Sequence, residues 1–438
     1  MKRLTTLAIL ATSLLDAACG VRSTAPQDDG VKSGKNSDDS SDTKSGDTGA
    51  TDVADANVTF GDAAAAAEQP SARGFYVFTT NYDGAASVGA VGLDGEVLSQ
   101  SLLSSGSTLP GLSLGLSPDI VPPTQRQTED ELVIIDRGNH ALDWLDFDTA
   151  QVTAQLGVGP GGFAANPYDY VRVNAELAFV TRYETNRAPG KAKLDESGDL
   201  LVINPQSRKL LGRVDFSHLV SRLDGVQPFP TKMVHHDGRL HVVLGMLTED
   251  YAAQNNSILV TVDVATREVV QTLDLTLANC EDVQASPQGL AAVGCRGDWA
   301  DDPITKRSGI VTVDLTANEP EVAKVYPADD LGGQLSTLDF ASESLIVFSV
   351  YGDFFTDAKD AAFTLDLSNG KVSKPLLETG PFQLGHIRCV PEHAVCVMAN
   401  ADEFAVEFFD VTAKGLTHSQ SVGFDSGVGL APRYIGVF

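Results

Sequence analysis

Gly111-Leu112-Ser113-Leu114-Gly115 has the spacing of a nucleophile elbow, in which a serine hydroxyl is held on a sharp strand-to-helix turn ready for acyl transfer. Pro110 before it and Ser117-Pro118 after it leave room for neither the strand nor the helix, so no acyl chemistry is expected there. Gly157 to Gly162 is glycine-rich like a phosphate loop, but it lacks the Lys-Ser/Thr ending and runs into a strand pattern, which makes it a connection. The eight histidines form no His-Glu-x-x-His, and His235 and His236, being neighbours on a strand, point to opposite faces and do not chelate together. Cys280, Cys295, Cys389 and Cys396 fall into two close pairs with no Cys-x-x-Cys. An even count in local pairs suits disulfides in an oxidising compartment; free thiols or a metal site is the competing reading. Cys389 and Cys396 flank a turn symmetrically, and Cys280 begins one strand while Cys295 ends its hairpin partner, so the expected bridges are 280–295 and 389–396.

The remaining chemistry lies in segments that mix carboxylates with aromatics. Tyr183 and Glu184, Asp250 and Tyr251, Asp298 and Trp299, and Asp353 and Phe354 are the candidates, and such surfaces suit a cationic group, a sugar, a divalent ion or a protein. Calcium is the ion these acids would accept; no resident cofactor is expected. The 438 residues carry 59 acidic against 31 basic side chains, a formal net charge of −28, which excludes the cationic surface needed for nucleic-acid binding.

What positions these residues is a repeat. From about residue 73 onward, strands with period-2 alternation recur, and one strand ends at a polar turn-forming residue in each unit: Gly92, Asp146, Asn204, Asp263, Asp314, Asp366 and Asp410. A hairpin precedes each of them, in units of roughly 50 residues with no convincing helical periodicity, the pattern of four-stranded blades. The fold class is therefore all-β, a seven-bladed β-propeller over residues 73–438. The chain ends in a first strand lacking a partner and begins its first unit at a second strand, so Arg433 to Phe438 should pair with Phe75 to Thr79 and close the ring.

The segment FVTRYETN followed by DLLVINPQSRKLLGRV resembles the YVTN repeat of bacterial seven-bladed propellers, with looser echoes at YVFTTNYDGAASVGAVGLDGEV and ILVTVDVATREV. The resemblance implies the same fold and says little about activity; some similar propellers are lactonases or quinone-dependent dehydrogenases. This chain departs from the pattern by inserting RAPGKAKLDESG after Asn186 and other long loops after later second strands.

Loop length sorts by face. Connections from second to third strands and between blades are long, and those from first to second and third to fourth strands are mostly short, so one face gathers the long loops and the acid–aromatic segments. Aligning first strands puts Asp119, Asp169, Lys232, Asp282, Thr337, His386 and Arg433 at one level, near the mouth of the central channel. They are candidate binding residues there, or supply inter-blade hydrogen bonds and rim ion pairs.

The N-terminus reads as an export signal over residues 1–18: Met1-Lys2-Arg3, an apolar run to Leu15, then small residues before Cys19. It resembles a bacterial lipoprotein signal, with Asp16 where the motif usually has leucine. The resemblance implies lipidation of Cys19, and Gly20 after it favours the outer membrane. Residues 19–72, rich in Ser, Asp and Gly, should form an unstructured tether with a reach of roughly 40 Å. The expected molecule is a lipid-anchored cell-envelope protein that meets the membrane only through its anchor. It would bind or scaffold a protein, glycan or small-molecule ligand through its long-loop face. The alternative is a hydrolase of lactone type using carboxylates and histidine at the channel mouth.

Overall fold

The computed structural model describes residues 71–438 apart from 128–130, 191, 302, 318, 355, 357 and 426–428. Cys19, the expected signal and the expected tether up to residue 70 lie outside the described residues, as do Asp302 and Phe355 of the loop segments; Ala72, expected at the tether's end, is instead buried against the blade-one and blade-seven seam.

Among the described residues seven antiparallel sheets follow one another along the chain as blades, and a small two-stranded pair, Val226–Gln227 with Leu247–Thr248, lies outside them. The third blade is typical, with strands Pro167–Arg172, Ala178–Thr185, Ser197–Asn204 and Lys209–Val214 ordered from the innermost outward. Blade two begins with the short pair Ile120–Val121, blade four with Pro230–His236, blade five with Cys280–Ala285, blade six with Leu335–Ser342 and blade seven with Leu384–Val390. The innermost strands succeed one another around a central channel. Blade one is composite: Ala431–Val437 lies against Gly74–Thr80, with registers from Phe75 opposite Val437 to Thr80 opposite Ala431. The ring closes as the two chain ends require.

Burial explains the composition of each strand. Inner strands lie between neighbouring blades and are apolar on both faces, as in Leu132–Asp136, buried throughout. The outermost strand Val269–Asp274 alternates half-buried and exposed positions. The core is a series of seams between blades. One joins Phe179, Leu200 and Val202 of blade three to Met233, Val242 and Val260 of blade four. Full burial of such side chains stabilises by about 1.5–3 kcal/mol each. At the closure seam, Tyr76 and Phe147 pack on Phe438 with centroids 4.4 Å and 4.8 Å away. Gly385 is fixed by close approach: a Cβ there would lie 2.2 Å from the Arg433 carbonyl oxygen on the closing strand.

The repeated polar residue does the work its type suggests in five units; Asp410 instead lies within the strand Ala405–Thr412, and the Thr412 hydroxyl accepts the Lys414 N–H at that turn. Asp146, Asn204, Asp263, Asp314 and Asp366 each accept a backbone N–H from two or three residues ahead, at 2.8–2.9 Å. In blade one, where Gly92 takes the repeat position, Asp94 accepts the Glu96 N–H instead. Cys280–Cys295 and Cys389–Cys396 are disulfides joining directly opposed residues of the blade-five and blade-seven hairpins.

Candidate functional site at the channel mouth

The first residue or two after a second strand, and the first few residues of an innermost strand, meet at one end of the channel, on the long-loop side. There the chain builds a circuit of aromatic and charged side chains contributed by most of the blades. Arg137 after the second strand of blade two forms an ion pair with Asp119, its Nε donating at 2.9 Å. Its guanidinium also lies over the rings of Tyr168, 5.3 Å from the centroid, and Tyr434. Tyr168 donates to Glu281 at 3.2 Å, and Glu281 pairs with Arg296 at 2.6 Å. Arg296 lies over Tyr351, whose ring packs 5.3 Å from Phe382. Arg433 donates to the Phe382 carbonyl at 2.7 Å and covers Tyr82, which meets Tyr434 edge to face and so returns the circuit to Arg137. Burial and the carboxylate of Glu281 push the Tyr168 phenol well above its usual range, so it remains a hydrogen-bond donor at any physiological pH.

Two aromatic clusters extend the circuit over the face. Tyr183 stacks on Tyr168 at 5.0 Å and packs on Phe229, with Tyr251 beyond it, whose hydroxyl donates to Glu184 at 3.0 Å. Burial pushes the Glu184 carboxyl up while Tyr251 pulls it down. The second cluster joins Trp299, Tyr351, Phe382 and Phe354; Phe354 stacks on Phe382 at 5.1 Å and is 52% exposed.

The loop-face acids are drawn into turns. Asp298 accepts the Ala253 and Ala300 N–H groups, both at 2.8 Å, with Arg307 nearby. Asp250 accepts the Thr248 hydroxyl, and Asp353 accepts the Thr356 hydroxyl at 3.0 Å. Tyr183 is buried, so its ring supports the face rather than displaying itself. No group of three or more His, Cys, Asp or Glu side chains suited to a metal ion occurs among the described residues.

Deeper in the channel, Asp169 is fully buried and accepts three backbone N–H groups, from Thr124, Tyr170 and Met233. It thereby ties together blades two, three and four. Asp282 accepts Lys232 and Gln284 at 3.3 Å and Thr337 at 3.2 Å. Against its burial, Lys232 and Arg388 hold its carboxyl below the usual range. His386 meets Tyr434 edge to face, and burial together with Lys232, Arg388 and Arg296 holds its imidazole well below the usual value, hence neutral. The aligned level thus divides: Asp119, His386 and Arg433 belong to the mouth, whereas Asp169, Lys232, Asp282 and Thr337 are buried beneath it.

Arg137, Tyr168, Glu281, Arg296, Tyr351, Phe382 and Tyr434 were not singled out by the sequence, although the repeat carried a signal for several. Tyr168 and Glu281 stand one residue before the aligned positions Asp169 and Asp282, and Arg137, Arg296 and Tyr351 each directly follow a second strand.

No protein-family model and no curated protein sequence matches the chain. Solved structures do. A hypothetical selenium-binding protein from Sulfolobus tokodaii aligns at TM-score 0.56 and 10% identity, over 84% of this chain and 94% of that one. The β-propeller domain of Cps50 (Swd1) from Myceliophteria thermophila aligns at TM-score 0.53 and 12% identity, over 78% and 98%. A candidate 6-phosphogluconolactonase from Bacteroides uniformis aligns at TM-score 0.51 and 12% identity, over 84% and 100%. The likeness is one of fold. At such identities it transfers no site.

Proposed function

We propose that the protein is a binding or scaffolding propeller, carried on the cell envelope by a lipid on Cys19 and related to YVTN-repeat propellers, whose recognition surface is the long-loop face around the channel mouth. The observation that carries this reading is the circuit itself. Eight aromatic rings in two packed clusters are locked by ion pairs and cation–π contacts around one opening, with Phe354 presented to solvent. Rigid, partly exposed aromatics with a polar surround are what recognition surfaces use, because little side-chain entropy is lost on binding. A lactone hydrolase would need a carboxylate free to take a proton, and Asp119, Asp169 and Asp282 are all committed to partners. Binding is therefore preferred to catalysis.

The test is a photo-crosslinking residue placed at Phe354 on the loop face or at Val270, which is equally exposed on an outer strand. A discrete adduct in cells at 354 and none at 270 is expected. Equal labelling at both positions would reject the loop face as the recognition surface. The anchor is tested separately. Cys19→Ala should abolish incorporation of labelled fatty acid and release the protein from the membrane fraction, and retention of both would refute lipidation.

A further inference from the structure

The channel below the mouth holds buried N–H donors that no acceptor among the described residues meets. Every channel carboxylate is filled: Asp169 by three backbone N–H groups, Asp282 by Lys232, Gln284 and Thr337, and Asp339 by the N–H groups of Phe340 and Cys389. Arg388, on the innermost strand of blade seven, is only 2% exposed. Its Nη1 donates to the Ile387 carbonyl at 2.8 Å, while its Nε and Nη2 have no partner among the described residues. A buried guanidinium edge left unmet is unusual, because removing its N–H groups from water is costly.

That edge has a defined chemistry, and the protein supplies its own comparison. Nε and Nη2 point the same way as a two-pronged fork. In Arg182 the same two atoms hold both oxygens of Asp199, at 2.7 Å and 2.6 Å. Arg388 presents the identical fork with no carboxylate of the chain in it. Lys232 of blade four, paired with Asp282 at 3.3 Å, acts electrostatically on Arg388 and on His386 of blade seven, and Arg388 acts in turn on Asp282 and Asp339, so these charges share the channel although blades four and seven are not neighbours. His386 also keeps its buried Nδ1 without a partner, matching a hydroxyl or acid proton on a ligand. Asp282 and Asp339 balance the charge of Lys232 and Arg388 from nearby, yet neither carboxylate hydrogen-bonds the Arg388 Nε/Nη2 edge, which is what leaves that edge open to an anion.

We propose that the central channel is a binding site for a small oxyanion, a carboxylate or phosphate group, gripped by the Nε/Nη2 fork of Arg388 with Lys232 and His386 beside it. This site lies beneath the loop-face recognition surface and shares only His386 with the channel mouth.

The experiment is calorimetric titration of the purified full-length protein with inorganic phosphate in one arm and succinate in the other, with sodium chloride at matched ionic strength as control. Saturable one-site binding in at least one arm is expected, and the arm that responds identifies the anion class. Arg388→Gln should weaken it at least about tenfold, the scale of a lost charge-assisted bond. Arg388→Lys, which keeps the charge but not the fork, should weaken it severalfold and covers the case in which the glutamine variant fails to fold. Absence of saturable binding in both arms, an equal response to chloride, or unchanged affinity in the folded variants would each overturn the proposal. None of these outcomes depends on crosslinking at Phe354.

Discussion

Aspartate is used in two ways in this molecule. At the short turns, Asp146, Asp263, Asp314 and Asp366 accept N–H groups two or three residues ahead and lie at the surface. In the channel, Asp169 and Asp339 are buried and accept N–H groups from the next blade, 64 and 50 residues further along the chain. The first kind shapes a blade. The second joins blades, satisfying inner-edge backbone groups that no further strand covers. The electrostatic consequence is opposite in sign: local hydrogen bonds hold the Asp314 carboxyl below its usual range, whereas burial pushes Asp339 up to about 6.

The sharpest way to break this contrast is Asp169→Ala. It strands three backbone N–H groups in a site with no exposure, and the expected loss is about 3–5 kcal/mol, measured by denaturant unfolding. The loss should be cooperative over blades two to four. A change below about 1 kcal/mol would mean that water replaces the carboxylate and that the blades are not joined through it.

Covalent joining is the next test, because the disulfides act within blades rather than between them. Cys280–Cys295 closes a 15-residue separation and Cys389–Cys396 a 7-residue one. Replacing the first pair by serines should cost about 3 kcal/mol and the second less, since the chain entropy removed grows with loop length. Hydrogen exchange should locate the loosening in the blade-five and blade-seven hairpins respectively. If the shorter loop cost more, chain entropy would not be the cause.

The same division explains what was readable in advance. The strand pattern, both disulfides and most of the turn aspartates depend on patterns within some 50 residues, where alternation and turn chemistry act, and ring closure follows from counting the strands of the repeat although it pairs the far ends of the domain. The mouth circuit depends on partners such as Tyr82 with Tyr434, 352 residues apart, and Tyr168 with Glu281, 113 apart. Alignment of repeats brought Asp119, Asp169, Lys232, Asp282, His386 and Arg433 to one level. It carried no information about which would turn to the mouth and which would be consumed by a neighbouring blade. Arg388 and Asp339 lie two residues beyond the aligned His386 and Thr337, and what distinguishes them is their surroundings, not their spacing.

A third kind of aspartate sharpens the comparison. Asp143 in blade two is fully buried, and neither of its oxygens has a close hydrogen-bond partner among the described residues. Burial, with Asp136 nearby, pushes its carboxyl up to about 7 against the pull of the Gln155 side chain. A carboxyl whose folded value lies above its unfolded one makes the native state bind the extra proton, so stability falls as pH rises from about 4 to about 7 and is level beyond. Asp143→Asn should therefore stabilise the protein by about 2 kcal/mol at pH 8 and hardly at all at pH 4. Thermal melts across that range test it, and a benefit independent of pH would show that the carboxylate is not ionising in place.

The smallest effect is expected at Asp314→Ala. Its carboxylate accepts the Thr316 N–H and hydroxyl in an exposed turn, and water can take over both donors once it is gone, so the loss should stay within about 0.5 kcal/mol. The pH dependence should also invert relative to Asp143. A carboxyl held below its unfolded value contributes stability above about pH 4 and loses it as pH falls through the folded value, so the variant should differ from the parent at neutral pH and converge with it in acid. If Asp314→Ala matched Asp169→Ala in cost, the short turns would be joining blades as the channel carboxylates do, and the distinction between shaping a blade and joining blades would collapse.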